Sequence, residues 1–221
     1  MLRAENITKK FDEQCILEHA SVEFKNGTLN LITGTNGVGK STFLKILYGV
    51  MISDEGNVFY KEEDIEKNRL NYLKNIGVIT TDDRTLYYKL TARENLRYIG
   101  RIMDVPKKEL ESRITEILNL FKIEDNKKLV EDFSTGMKKK VLIARALIHK
   151  PLIIFADEPF NGLDFETTQI VNDIFKEVVN EGKTVILISH NYQYLFENIH
   201  RYELRDKKII EIGDNNDKSF D

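Results

Sequence analysis

Residues Gly34, Thr35, Asn36, Gly37, Val38, Gly39, Lys40 and Ser41 fit the pattern G-x-x-x-x-G-K-[ST] in full, with Thr42 directly after. The chemistry this spacing supports is polyphosphate binding. Glycines let the backbone wrap an anion and turn its N–H groups inward, and a helix N-terminus behind the loop adds a favourable dipole. Lys40 then reaches the β- and γ-phosphates as a point charge, and Ser41 ligates Mg²⁺. A second set of candidates closes the apolar run 152–156. Asp157 is placed to hold the same Mg²⁺, and Glu158, one residue farther, to orient or deprotonate an attacking water. A third apolar run, 184–189, ends in His190, placed to donate to the γ-phosphate.

These groups need a scaffold that brings them to one edge. The run 28–33 (TLNLIT) reads as a buried strand that stops at glycines and passes into an amphipathic stretch, 41–48. That is strand, glycine-rich loop, helix. The runs 152–156 and 184–189 are near-continuous apolar segments, the signature of strands buried on both faces of a parallel sheet. Strand tips at the carboxyl edge of such a sheet line the ligand crevice. The stretches 2–8, 16–24, 56–60 and 75–80 read as further strands, with a turn at 26–27.

From Thr91 the period becomes helical. Thr91 and Glu94 form a capping box before a helix over 92–103. Pro106 suits the first turn of a helix over 107–121, with Leu110, Ile114, Ile117, Leu118 and Phe121 on one face. A third helix is expected over 137–149, another over 165–180, and a closing hairpin from 202–205 and 208–212. The fold class is therefore α/β: a P-loop NTPase core with a mixed, mainly parallel sheet flanked by helices, an N-terminal antiparallel β subdomain and an inserted helical subdomain. Residues 1–212 read as one domain, with the core and β subdomain in 1–84 and 151–212, the helical block in 85–150, and 213–221 as a flexible tail.

Composition narrows the class. The chain has 221 residues, 41% hydrophobic and 31% charged, enough to bury a sizeable core. Lys+Arg 33 against Asp+Glu 36 lacks the basic excess of a dedicated nucleic-acid binder, and no nucleic acid partner is expected. A single cysteine, Cys15, excludes a disulfide framework and a cysteine-based zinc site, and reads as a small buried hydrophobe on a strand. His19, His149 and His200 show no metal spacing. No apolar run approaches the ~18 residues of a membrane span, and the N-terminus is no signal peptide. A soluble, cytosolic protein is expected. Lys138–Lys140 reads as a solvated helix face, and Tyr87, Tyr88 and Tyr98 as packing for the helical block.

Taken together, the motifs resemble those of ABC transporter ATP-binding subunits over about residues 1–212. GTNGVGKST resembles Walker A, LIIFADEP resembles Walker B, FSTGM (133–137) resembles the signature, NGLD (161–164) the D-loop, and His190 the H-switch. Phe11 matches the aromatic position that stacks on adenine. The resemblance implies ATP and Mg²⁺ as ligands and ATP hydrolysis by Glu158, His190 and Lys40. It implies a second ABC ATPase domain, in a homo- or heterodimer, paired head to tail. ATP then lies between the Walker motifs of one domain and Ser134, Thr135, Gly136, Met137 and Asp164 of the other. A transmembrane permease is the further implied partner, engaged through a groove near the Q-loop, with the subunit held at the inner face of the cell membrane.

Two departures stand out. Thr81 occupies the place of the Q-loop glutamine and is assigned a weak Mg²⁺-binding role. Thr135 and Met137 replace a glycine and a glutamine of the signature. FSTGM and the stretch 83–96 resemble a branch linked to export, so a subunit powering an exporter is expected. A soluble ABC ATPase with a non-transport role, such as metal-cluster assembly, is the alternative.

Overall fold

The computed structural model describes residues 1–80, 85–190 and 199–214. Two sheets build it. A four-stranded antiparallel sheet runs β2 (Gln14–Phe24), β1 (Leu2–Phe11), β4 (Glu55–Tyr60), β5 (Glu63–Asp64). A six-stranded sheet runs β10 (Lys208–Asp214), β9 (Ile199–Arg205), β3 (Leu29–Thr33), β8 (Thr184–Ile188), β7 (Ile153–Asp157), β6 (Ile76–Ile79). Its strands pair in parallel except β9 with β10. The expected mixed, mainly parallel sheet is present.

Alternation along the strands divides the core in two. Leu29, Leu31, Ile154, Ala156, Val185 and Leu187 face one cluster, which includes the helical block. Ile32, Ile153, Phe155, Ile186 and Ile188 face the other, with the antiparallel sheet and α1 (Lys40–Leu47). Successive side chains on a strand point to opposite faces, so a sheet covered on both sides needs an unbroken apolar run.

The helical block packs α3 (Ala92–Ile102), α4 (Lys107–Leu120) and α5 (Thr135–Leu147). The predicted capping box is formed: Thr91 Oγ1 accepts from the Glu94 N–H, and Glu94 accepts from the Thr91 N–H. Leu110, Ile114, Ile117 and Leu118 are buried, as their spacing requires. Arg93 braces the outside, donating to Asp125, Glu111 and Thr115. Helix α6 (Phe165–Asn180) connects β7 to β8.

The structure differs from the sequence expectations locally. Helix α5 begins at Thr135, two residues before the expected start, because Ser134 takes the cap. Strand β9 begins at Ile199, three residues before the expected hairpin, because it pairs in parallel with β3, Leu29 opposite Ile199. A short helix, α2 (Arg69–Lys74), is held by the buried Tyr72, whose hydroxyl donates to the Leu47 carbonyl at 2.7 Å. Cys15 is half-buried rather than buried. Tyr87 and Tyr98, 42% and 43% exposed, pack edge-on against each other, and Tyr88 packs against the cluster that includes the helical block.

Candidate functional site

The glycine-rich loop leaves β3 and closes onto the N-terminus of α1, where Gly39 is the cap residue. Gly34 sits at φ 139°, and a Cβ there would fall 2.5 Å from the Leu204 carbonyl oxygen of β9. Only glycine fits such a backbone against such a neighbour. Lys40 is the first residue of α1 and is buried. Its ammonium crosses the loop, donating to the carbonyls of Gly34 at 2.7 Å and Thr35 at 2.9 Å. Burial pulls its pKa below the ordinary lysine value, while the charges of Glu158 and Asp157 oppose that shift.

Parallel pairing sets the acidic and histidine groups at the same edge. Asp157, the last residue of β7, pairs with Ile188, the last of β8. Glu158 follows at φ 45°, and its N–H donates to the Ile188 carbonyl at 2.9 Å. His190 follows two residues after Ile188. Its Nε2 lies 3.5 Å from Glu158 Oε1, and its main-chain N–H donates to Glu158 Oε2 at 3.4 Å. Glu158 Oε1 is buried and receives no hydrogen bond among the described residues, leaving an acceptor for a bound polar atom.

One cleft of about 430 Å³ gathers these groups. Asn36, Gly37, Gly39, Lys40, Ser41, Thr42, Asp157, Glu158, Asn161, Ile188 and His190 line it. Gly34 and Thr35 stay beneath, serving through their carbonyls to Lys40, and Val38 closes the turn with an N–H to the Thr35 carbonyl. Asn161 is a cleft residue that sequence reasoning placed only within NGLD. Its reach into the cleft follows from the turn after Glu158, where its N–H donates to the Glu158 carbonyl at 3.3 Å.

Other candidates lie apart from the cleft. Ser134 caps α5 by accepting from the Met137 N–H at 3.3 Å, with Ser134 and Thr135 exposed and Gly136 and Met137 partly so. A Cβ on Gly136 would lie 3.5 Å from the Gly162 carbonyl, so the segments 133–137 and 161–164 of one chain sit side by side. Asp164 caps α6, accepting from the Thr167 N–H at 2.7 Å. That hydrogen bond holds its carboxyl below the ordinary range. Phe11 ends β1, 44% exposed, with the Lys9 ammonium 5.6 Å from its ring centre. Thr81 lies outside the described residues.

The lysines 138–140 depart from the solvated face expected of them. Lys138 rests its ammonium 4.9 Å from the Tyr88 ring centre, and Lys139 is 6% exposed and turned inward. Three like residues in a row occupy three different directions on a helix, so one of them meets the sheet.

A second cavity, about 550 Å³, opens between the core and the helical block. Its walls include Lys45, Tyr48, Val50, Ile99, Arg145 and His149. Burial and the charge of Asp157 push the Tyr48 hydroxyl up to about 12. Ser41 and Asp157 line both cavities. No described helix is long and apolar enough to cross a membrane.

Comparison with known proteins agrees with this geometry. Residues 17–161 match the family model described as ABC transporter. The ABC transporter ATP-binding protein NatA of Bacillus subtilis is 35% identical over 77% of this chain and 70% of its own length. The linearmycin resistance ATP-binding protein LnrL of the same organism is 34% identical over 86% of this chain and 61% of its own. Among solved structures, a dimeric post-hydrolysis state of the ATP-binding cassette MJ0796 bound to ADP and Pi superposes with a TM-score of 0.83. It shares 25% identity over 96% of this chain and 98% of that one.

Proposed function

The chain belongs to the family of ABC transporter ATP-binding subunits, and on that premise we propose that it hydrolyses Mg-ATP at the 430 Å³ cleft and powers a membrane permease, as an exporter. The observation that carries the reading is the convergence of Lys40, Ser41, Asp157, Glu158 and His190 on that single cleft.

Each residue has a role that its position supports. Main-chain N–H groups of the glycine loop and the N-terminus of α1 bind the phosphates. Lys40 exchanges the Gly34 and Thr35 carbonyls for phosphate oxygens and neutralises their charge. Glu158, which lines the cleft, accepts a hydrogen bond from water at its carboxylate and orients it for in-line attack on the γ-phosphate. His190, beside that carboxylate, donates to the γ-phosphate. The Ser41 hydroxyl and Asp157 carboxylate are hard oxygen donors in one cleft, the donor type Mg²⁺ takes. A Mg²⁺ held there would supply charge neutralisation for the phosphates.

Ser134, Thr135, Gly136, Met137 and Asp164 lie outside the cleft of their own chain, which supports their use by a second ABC domain arranged head to tail. Phe11, exposed at a strand end, takes the adenine ring. The 550 Å³ groove receives the permease, whose docking holds the subunit at the inner face of the membrane. Ser41 and Asp157, shared by groove and cleft, link the two. The resistance role in the name of LnrL supports outward transport.

The test is Mg-ATP hydrolysis by the purified chain across protein concentration, with Lys40→Ala as the blank. Specific activity that rises with concentration and vanishes in Lys40→Ala is expected of a head-to-tail homodimer. Activity independent of concentration would sink the composite site. Blank-level activity restored by a co-expressed permease or second ATPase chain would make the dimer heteromeric or permease-dependent.

A further inference from the structure

Lys139 is a charged side chain in the interior with no place in the mechanism so far. It is 6% exposed, and lysine is almost never buried unless paired. Its ammonium donates to two main-chain carbonyls, Thr80 at 3.0 Å and Glu158 at 3.5 Å. Thr80 directly follows β6 and Glu158 directly follows β7, neighbouring parallel strands, Ile79 opposite Ala156. The ammonium therefore bridges two adjacent strand ends at the edge where the cleft opens. Burial pulls its pKa down, and the nearby charges of Asp157 and Glu158 pull it back up, so the acidic pair is what keeps a cation tolerable there.

Both acceptors are carbonyls, so the contact senses where the backbone is. That matters most at Glu158, whose φ of 45° is sparsely populated for a residue with a side chain. Such a conformation persists only where its surroundings over-determine it. From one side the Ile188 carbonyl holds its N–H. From the other, Lys139 at 3.5 Å and the Asn161 N–H at 3.3 Å hold its carbonyl, and of the two only Lys139 comes from another element. Lys139 comes from α5, the helix that Ser134 caps, and α5 packs tightly on β6: a Cβ on Gly77 would lie 2.3 Å from the Ala146 carbonyl.

We propose that Lys139 is a positioning residue for hydrolysis: it ties the helix that begins at Ser134 to the backbone of Glu158 and the strand end at Thr80, so that the aim of the Glu158 carboxylate depends on the pose of that helix. This rests on Glu158 being the group that orients water. Whatever closes on Ser134 and shifts α5 thereby shifts the catalytic carboxylate. Lys139 touches no reacting atom; it acts through Glu158.

The experiment compares Lys139→Met, Lys139→Arg and Glu158→Gln in the full chain, by steady-state ATP hydrolysis and by amide hydrogen exchange. Lys139→Met is expected to lower kcat by ~10–100-fold with KM for ATP within about threefold, since a misaimed catalytic group costs rate on that order. Lys139→Arg, which keeps the cation and its donors, is expected to recover at least a third of kcat. In Lys139→Met, faster exchange is expected in peptides covering 76–80 and 157–161, and not in those covering α4 or α6. Wild-type exchange in both peptides overturns the proposal, even if the chain alone has no turnover. So does wild-type kcat in Lys139→Met while Glu158→Gln is inactive. A Glu158→Gln variant that turns over normally fails the water-orienting reading instead. If Lys139→Met does not fold, Lys139→Gln carries the same two readouts.

Discussion

His190 and Glu158 meet at both ends of the carboxylate: the imidazole Nε2 lies 3.5 Å from Oε1, and the main-chain N–H of His190 donates to Oε2 at 3.4 Å. The second contact is set by the backbone and survives any change of the imidazole. It fixes one carboxylate oxygen, while the other is buried beside the imidazole. A carboxylate aimed by main chain is already oriented before a ligand arrives, and such preorganisation is how positioned groups lower a barrier.

Replacing Glu158 with Gln is expected to lower turnover by ~10²–10⁴-fold, the range for loss of a positioned acid–base group. Nucleotide affinity should hold within about threefold, because the phosphate cradle is untouched. Equilibrium binding of a fluorescent ATP analogue, beside a phosphate-release assay, separates the two. His190→Ala should cost less affinity than rate and leave Oε2 bonded to the main chain. Near wild-type turnover in Glu158→Gln would remove it from the chemistry.

Gly34→Ala is expected to be the most damaging alanine replacement in the phosphate loop. The new Cβ meets the Leu204 carbonyl at 2.5 Å, at φ 139°. Backbone strain of this kind costs ~2–3 kcal/mol, which for a chain of this size lowers Tm by roughly 5–10 °C. Gly37→Ala, at φ 79° with no heavy atom within 4 Å, should cost about half as much. Calorimetry on both variants checks the ranking, and equal melting temperatures would contradict it.

Most of this site was legible because its residues are local in sequence. A loop of eight residues carries its own geometry, and an apolar run ending in two acids announces a strand tip. The capping box at Thr91 and Glu94 was readable for the same reason: its partners are three residues apart. What escaped depends on distant pairing. Lys139 looks like its neighbours until α5 is laid on β6, because nothing local distinguishes the middle of three lysines. Strand β9 extends back to Ile199 only because Leu29 lies beside it. Asn161 enters the cleft through a turn after Glu158 whose sharpness no hydrophobic pattern records. Tyr87 and Tyr98 pair with each other because Asn95, buried on α3, holds the main chain of Tyr87 through both its N–H and its carbonyl.

Asp164 lets a structural and a functional role be told apart. Its carboxylate caps α6 through the Thr167 N–H, and loss of such a cap costs ~1 kcal/mol. Asp164→Ala should therefore lower Tm by roughly 2–4 °C near neutral pH. The Thr167 hydrogen bond depresses the carboxyl below its ordinary 3.8, so the folded state favours the ionised form. That contribution is fully present above the ordinary value and fades as pH falls below it through the folded value. The gap between Asp164 and Asp164→Ala should accordingly be constant from pH 5 to 8 and narrow below about pH 4, as melting curves at each pH will read. Asp164→Asn keeps an acceptor for the Thr167 N–H and loses only the charge. It should melt close to wild type and yet turn over several-fold more slowly if, as proposed, a second domain docked head to tail meets this charge. Wild-type turnover in Asp164→Asn would confine the residue to capping. A gap that widens in acid would mean that the carboxylate is not the form the cap uses.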